Sequence, residues 1–154
     1  MKYMFASDIH GSAYYCRKML EAFEAEGASR LFLLGDLLYH GPRNDLPKEY
    51  APKQVIAMLN EKKQYLTNVR GNCDAEVDQM VLEFPVLADY GILIEGGHTF
   101  YMSHGHIYNE QNLPPLMDGA RCSIYYAYLL SGVPVLLLDG IVCLFFRAKK
   151  VRLW

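Results

Sequence analysis

The sequence predicts an α/β fold, a largely parallel sheet built from βαβ units with hairpin strands added. Two observations carry this. Short apolar runs alternate with segments of helical periodicity through the first half of the chain. Two later apolar runs flank Gly96-Gly97, where a two-residue hairpin turn needs residues that accept positive φ. At 154 residues the chain is long enough for one domain with a real core, and residues 1–154 are read as that domain.

"KYMFAS" (Lys2–Ser7) is apolar enough for a buried strand. "DIHGS" breaks it. From Ser12, a plausible N-cap, Cys16, Met19, Leu20 and Phe23 recur at helical spacing, and Gly27 suits the stop. "RLFLL" (Arg30–Leu34) is a second buried strand, followed at once by Gly35 and Asp36. A loop with Gly41, Pro42, Pro47 and Pro52 precedes a second helix through "KQVIAMLNEKK", with Val55, Ile56 and Leu59 inward. "YLTNV" (Tyr65–Val69) is a third strand, ending at "RGNCD". "GILIE" and "HTFYMS" form the hairpin, whose second strand ends at "SHGH" (Ser103–His106).

Net charge is −2, with 52% hydrophobic and 21% charged residues, which gives no electrostatic case for binding nucleic acid. Cys16, Cys73, Cys122 and Cys143 are scattered without CxxC spacing and read as reduced thiols of a cytoplasmic protein. The N-terminus has one lysine and too short an apolar run for a signal peptide. Ser123–Phe146 carries only Asp139 as a charge, a length that fits a membrane span. Gly132, Pro134, Asp139 and Gly140 argue instead for strand, turn, strand over "GVPVLLLDGIV".

In open α/β sheets, ligands bind beyond the carboxyl ends of strands. Asp8 and His10, Asp36, Asn72 and His104 all fall at such ends. Each alone is as well explained by a helix cap or a turn; four strand ends together describe a site. Two carboxylates, an amide oxygen and two imidazoles suit Mn, Fe or Zn better than Ca. A pair of ions about 3.5–4 Å apart needs a bridging carboxylate, a role open to Asp36, and phosphate ester hydrolysis is the natural reaction for such a pair.

D-x-H, then GD, then GN, then HGH resembles the calcineurin-like metallophosphoesterase superfamily. "FASDIHGS", "LLGDLLYHGPRN" and "VRGNCDAEVDQM" are similar to its small bacterial phosphodiesterases, over Met1 to about Pro115. The resemblance implies an α/β/β/α sandwich with mixed sheets and two divalent metal ions, Mn first, with Fe, Zn or Ni as alternatives. It implies that Asp8 and His10 hold one ion, Asn72 and His104 the other, and Asp36 both. It further implies a small phosphodiester substrate attacked by a water bridging the two ions. Arg43 and Asn44 would border that substrate; a solvated loop explains them equally well. His106 matches a family histidine that is not usually a ligand. Cys73 stands where larger relatives place a histidine thought to protonate the leaving group.

The family closes its site with G-H-T-H. Here the slot falls near Tyr125–Leu136 and holds Tyr126, Ala127, Tyr128 and Leu129. Each ion would lose an imidazole and the activity would weaken. The C-terminal strands are expected to be incomplete, leaving a sheet edge open to homo-oligomers. Family-like sequence resumes at Gly132–Val142, between an unfamiliar Arg121–Leu130 and an unfamiliar stretch after Cys143. Local reading-frame errors would give that pattern, which a clean resequencing read would rule out. The rival reading is divergence into a non-catalytic scaffold that keeps the fold.

Overall fold

The computed structural model describes residues 2–95, 98–109 and 111–112, together with the backbone of three strands between 122 and 147. Strand β1 (Lys2–Ser7) lies at the centre of a five-stranded sheet. It pairs in parallel with β2 (Arg30–Leu33) on one side, Met4 opposite Leu31. β3 (Leu66–Asn68) extends that side in parallel. The expected parallel βαβ core is therefore present. Its connections are helix α1 (Ala13–Ala25) and helix α2 (Pro52–Glu61).

Period-two alternation divides the sheet's side chains between two cores. Met4, Ala6, Leu31 and Leu33 face the helices, where Cys16, Met19, Leu20, Phe23, Val55 and Leu59 meet them. Tyr3, Phe5, Phe32 and Leu34 face the other way. Phe5 and Phe32 stack there with ring centroids 5.0 Å apart. Burial on both faces is why β1 and β2 read as unbroken apolar runs.

Both helices begin and end for local reasons. Ser12 caps α1, its side-chain oxygen accepting from the Tyr15 N–H at 3.2 Å. Gly27 follows at φ +60°, the left-handed conformation that ends many helices. α2 starts on Pro52, whose missing N–H costs nothing in the first turn. Ile56, expected inward, is only partly buried against the core. The third strand is shorter than expected: Lys63–Tyr65 forms a 3₁₀ turn before it.

The hairpin is also present. β4 (Gly91–Glu95) and β5 (His98–Ser103) pair antiparallel, with Leu93 opposite Phe100. Phe100 and Met102 cover the second core, so this sheet packs face to face on the first. The Gly96-Gly97 turn lies outside the described residues. β6 (Cys122–Tyr126) joins β5 in parallel, a strand the sequence reading did not place. β7 (Val135–Leu138) and β8 (Ile141–Arg147) pair antiparallel, as the strand, turn, strand pattern implied. β8 then lies parallel to β1, Met4 opposite Leu144. Both sheets are mixed, with orders β3-β2-β1-β8-β7 and β4-β5-β6.

Three layers of the expected sandwich are thus described: helices, sheet and sheet. On the outer face of β4, Ile92 and Ile94 are exposed, and the second helical layer is not among the described residues. Much of the unfamiliar C-terminal sequence, including residues 127–134 and 148–154, also lies outside them. So does the question of whether the C-terminal strands are complete. No helix among the described residues is long and apolar enough to cross a membrane.

The two cores give a direct check. Leu33 is fully buried and Ile94 is 71% exposed. Leu33→Ala is expected to cost about 2–5 kcal/mol of stability in urea melts. Ile94→Ala should change it by less than about 0.5 kcal/mol. Equal losses would contradict the assignment of faces.

Candidate metal centre

Asp8 follows β1, Asp36 follows β2, Asn72 follows β3 and His104 follows β5. The loops are stitched together by main-chain hydrogen bonds. The Asp8 N–H donates to the Gly35 carbonyl at 3.1 Å, and the His10 N–H to the Asp36 carbonyl at 2.9 Å. Asp8, His10 and Asp36 sit at φ +59°, +50° and +57°. Left-handed backbone at three such residues costs on the order of 1–3 kcal/mol each and clusters at functional sites.

The loops after β2 and β3 touch backbone to backbone. A Cβ on Gly35, at φ +88°, would fall 2.2 Å from the Gly71 nitrogen. A Cβ on Gly71 would fall 2.1 Å from Asp36 Oδ1. Only glycine permits this approach, and it brings Asn72 and Cys73 beside Asp36. The Cys73 N–H donates to Asp36 Oδ1 at 2.8 Å.

All five residues expected in the site are brought together. Asp8, His10, Asp36 and His104 are buried; Asn72 stands at the open side. Asp36 Oδ2 lies 3.6 Å from His10 Nε2 and 3.6 Å from His104 Nε2, midway between two imidazoles. His10 Nε2 is also 3.4 Å from Asp8 Oδ1. His104 Nε2 is 2.9 Å from Asn72 Oδ1.

The other ring nitrogens settle what these contacts mean. His10 Nδ1 is 2.7 Å from the Tyr39 carbonyl, and His104 Nδ1 is 2.6 Å from the Leu34 carbonyl. A carbonyl only accepts, so each Nδ1 carries the proton. A neutral ring then presents a bare Nε2 lone pair to oxygen atoms. That arrangement favours a cation beside the two Nε2 atoms. At His10 burial opposes the protonated form most, but the Asp8 hydrogen bond, the Tyr39 carbonyl and the charges of Asp36 and Asp8 together raise its pKa.

Two groups of donors lie within 4.8 Å of one another: Asp8, Asp36 and His104, and His10, Asp36 and Cys73. Asp36 belongs to both. This donor set fits divalent cations, and buried carboxylates this close together gain most from such charge.

Asp74 was not picked out from the sequence. Its Oδ2 accepts from the Asp36 N–H at 2.9 Å and the Gly71 N–H at 2.7 Å, and its Oδ1 from the Leu37 N–H at 3.0 Å. It ties the two loops together under Asp36. Burial raises its pKa, against the pull of those donors. Its place in "GNCD" gave little hint, because two of its three partners lie 37 and 38 residues away.

Arg43 and Asn44 are exposed on the loop after β2. Asn44 Nδ2 donates to the His40 carbonyl at 2.9 Å. His106 is at the surface, its ring centroid 5.3 Å from that of His104. Partial burial and that neighbouring imidazole lower its pKa. The Cys73 thiol is pushed up to about 12, first by burial and then by the charge of Asp36.

A family model described as the calcineurin-like phosphoesterase superfamily domain matches residues 1–132. The chain belongs to the calcineurin-like phosphoesterase superfamily. Within the superfamily it is similar to Phosphodiesterase YfcE of Escherichia coli strain K12, at 49% identity over 116 residues. That match covers 75% of this chain and 63% of the relative, so the chain spans less than two thirds of the curated relatives it matches. A solved structure of the E. coli phosphoesterase YfcE superposes with a TM-score of 0.77 at 40% identity, covering 93% of this chain and 77% of that one. An archaeal phosphodiesterase shares the fold, with a TM-score of 0.56 at 16% identity, covering 93% and 81%. Membership in this metallophosphoesterase superfamily implies divalent metal ions.

Asp74→Asn would turn an amide NH₂ or a weaker acceptor toward main-chain donors. Loss of about 1–3 kcal/mol of stability is expected in urea melts. Weaker cation binding by titration calorimetry should accompany it. Unchanged stability and affinity would remove Asp74 from this account.

Proposed function

We propose that the chain is a metal-dependent phosphodiesterase acting on small phosphodiesters. The position of Asp36 Oδ2, 3.6 Å from both His10 Nε2 and His104 Nε2, carries this reading. Asp8, His10, Asp36, Asn72 and His104 hold two divalent ions, Mn first, with Fe, Zn or Ni also suited to oxygen and nitrogen donors. Bound there, such ions would supply Lewis-acid charge for phosphoryl oxygens and make a water more acidic.

The protein's own residues do the rest. The Tyr39 and Leu34 carbonyls fix the tautomer and direction of the two imidazoles. Asp74 holds the Asp36 loop, and the open side at Asn72 admits the ester. Arg43 and Asn44 border it from the exposed loop. Among the described residues Cys73 offers the leaving group no strong acid, since its thiol is pushed up to about 12. Esters whose alcohol leaves readily as an anion, such as aryl esters, are therefore the better substrates.

Tyr126, Ala127, Tyr128 and Leu129, where the family motif supplies imidazoles, weaken the site in this reading. The domain is single. The free thiols of Cys16 and Cys73 support a cytoplasmic location. Exposed Ile92 and Ile94 support homo-oligomers through the second sheet. Loss of those imidazoles equally motivates the second reading, a fold retained as a non-catalytic scaffold.

Bis-p-nitrophenyl phosphate turnover, measured beside metal content after Mn incubation, separates the two. Weak, chelator-sensitive hydrolysis is expected, reduced at least about 100-fold by Asp36→Asn. No bound ion in excess Mn would favour the scaffold. A rate matching that of a full-length relative would show that the missing imidazoles matter little.

A further inference from the structure

Three aromatic side chains stand in a row beside the metal centre. Tyr39, His40 and Tyr50 come from the loop between β2 and α2. The His40 ring meets the Tyr39 ring edge to face, with centroids 4.9 Å apart, and the Tyr50 ring in the same way at 5.3 Å. Tyr39 is 43% exposed, and His40 and Tyr50 are half-buried. None of the three belongs to either apolar core. Single exposed aromatics need no explanation; three in contact at the edge of a polar pocket do.

The same loop is fastened to the pocket on two sides. The Tyr39 carbonyl accepts from His10 Nδ1 at 2.7 Å. The Tyr50 ring covers the residue after His10, where a Cβ on Gly11 would fall 2.5 Å from Tyr50 Cε2. A Cβ on Gly41 would stand 3.4 Å from Cys73 Sγ. His40, between these contacts, adds a second observation. Its Nδ1 is buried without a hydrogen-bond partner among the described residues. A proton there would be a buried donor with no acceptor, so the neutral ring carries it on Nε2. The imidazole is then an uncharged flat ring between two phenols.

We propose that Tyr39, His40 and Tyr50 form a subsite for a planar aromatic group carried by the ester, a phenyl ring or a nucleobase. This rests on the phosphodiesterase reading above and deepens it by naming the substrate class. Aromatic rings bind one another edge to face or offset-stacked, beyond what their buried area supplies, and ligand sites pair such rings with a few polar groups. The preference is separate from the one for alcohols that leave readily. It comes from contact with a flat substituent, so it acts on binding rather than on the bond that breaks.

Titration calorimetry on the manganese-loaded full chain compares phenylphosphonate with methylphosphonate, whose P–C bonds phosphate ester hydrolysis does not break. A purine nucleoside monophosphate against ribose phosphate makes the same comparison for a nucleobase. At least one aromatic ligand is expected to bind about 5-fold tighter than its partner or more, and which one does so identifies the group. Tyr39→Ala keeps the main-chain carbonyl that holds His10, so manganese content should stay unchanged while the preference is lost. His40→Ala gives the same reading should the first variant fold poorly. A preference below about 5-fold in both pairs, or one that survives both substitutions, would overturn the subsite and leave the metal-dependent reading intact. If no manganese loads, or none of the four ligands binds, the phosphodiesterase reading fails with it.

Discussion

Two imidazoles, each donating its Nδ1 proton to a main-chain carbonyl and turning Nε2 toward Asp36 Oδ2, set the terms for everything around them. The carbonyls of Tyr39 and Leu34 cannot donate, so the rings cannot reverse their tautomers without losing those bonds. What remains is a pocket where nitrogen lone pairs and carboxylate oxygens face one another at low solvent exposure. Positive charge must enter it, as protons or as metal. The buried cluster therefore makes sense as a cation site, and much less sense as a stabilising feature of the fold.

The fold delivers this pocket through main-chain geometry. Parallel strands end side by side, so the residues that follow them converge without long loops. Gly35 and Gly71 let two of those loops meet in backbone contact, and Asp74 pins them with three accepted hydrogen bonds. Left-handed backbone at Asp8, His10 and Asp36 points their side chains inward. The two apolar cores on either side of the central sheet offset that strain. Met4 and Leu33 on one face and Phe5 and Phe32 on the other hold the strand ends in register.

Much of this was legible beforehand because each signal was local. An apolar run ending in a polar residue marks a strand end, and four such ends named Asp8 with His10, Asp36, Asn72 and His104. The helical period of Cys16, Met19, Leu20 and Phe23 gave α1. Asp74 was hidden, since two of its three partners lie on another loop and an aspartate after Gly-Asn-Cys has no local signature. β6 is only five residues long, and its sole local signal is the β-branched and aromatic content of Ile124, Tyr125 and Tyr126. The short helix Glu76–Gln79 is too brief to show a period. Cys73 was read for the acid it fails to replace, and its distance from His10 emerges only when the loops are folded together.

Anomalous diffraction from crystals soaked in manganese bears most directly on the claim that these side chains enclose cations. The account predicts manganese density around Asp36, among Asp8, His10, Asn72 and His104. Crystals that diffract well and show no anomalous density in this pocket at saturating manganese, with both imidazoles still bonded to the Tyr39 and Leu34 carbonyls and facing Asp36, would contradict it.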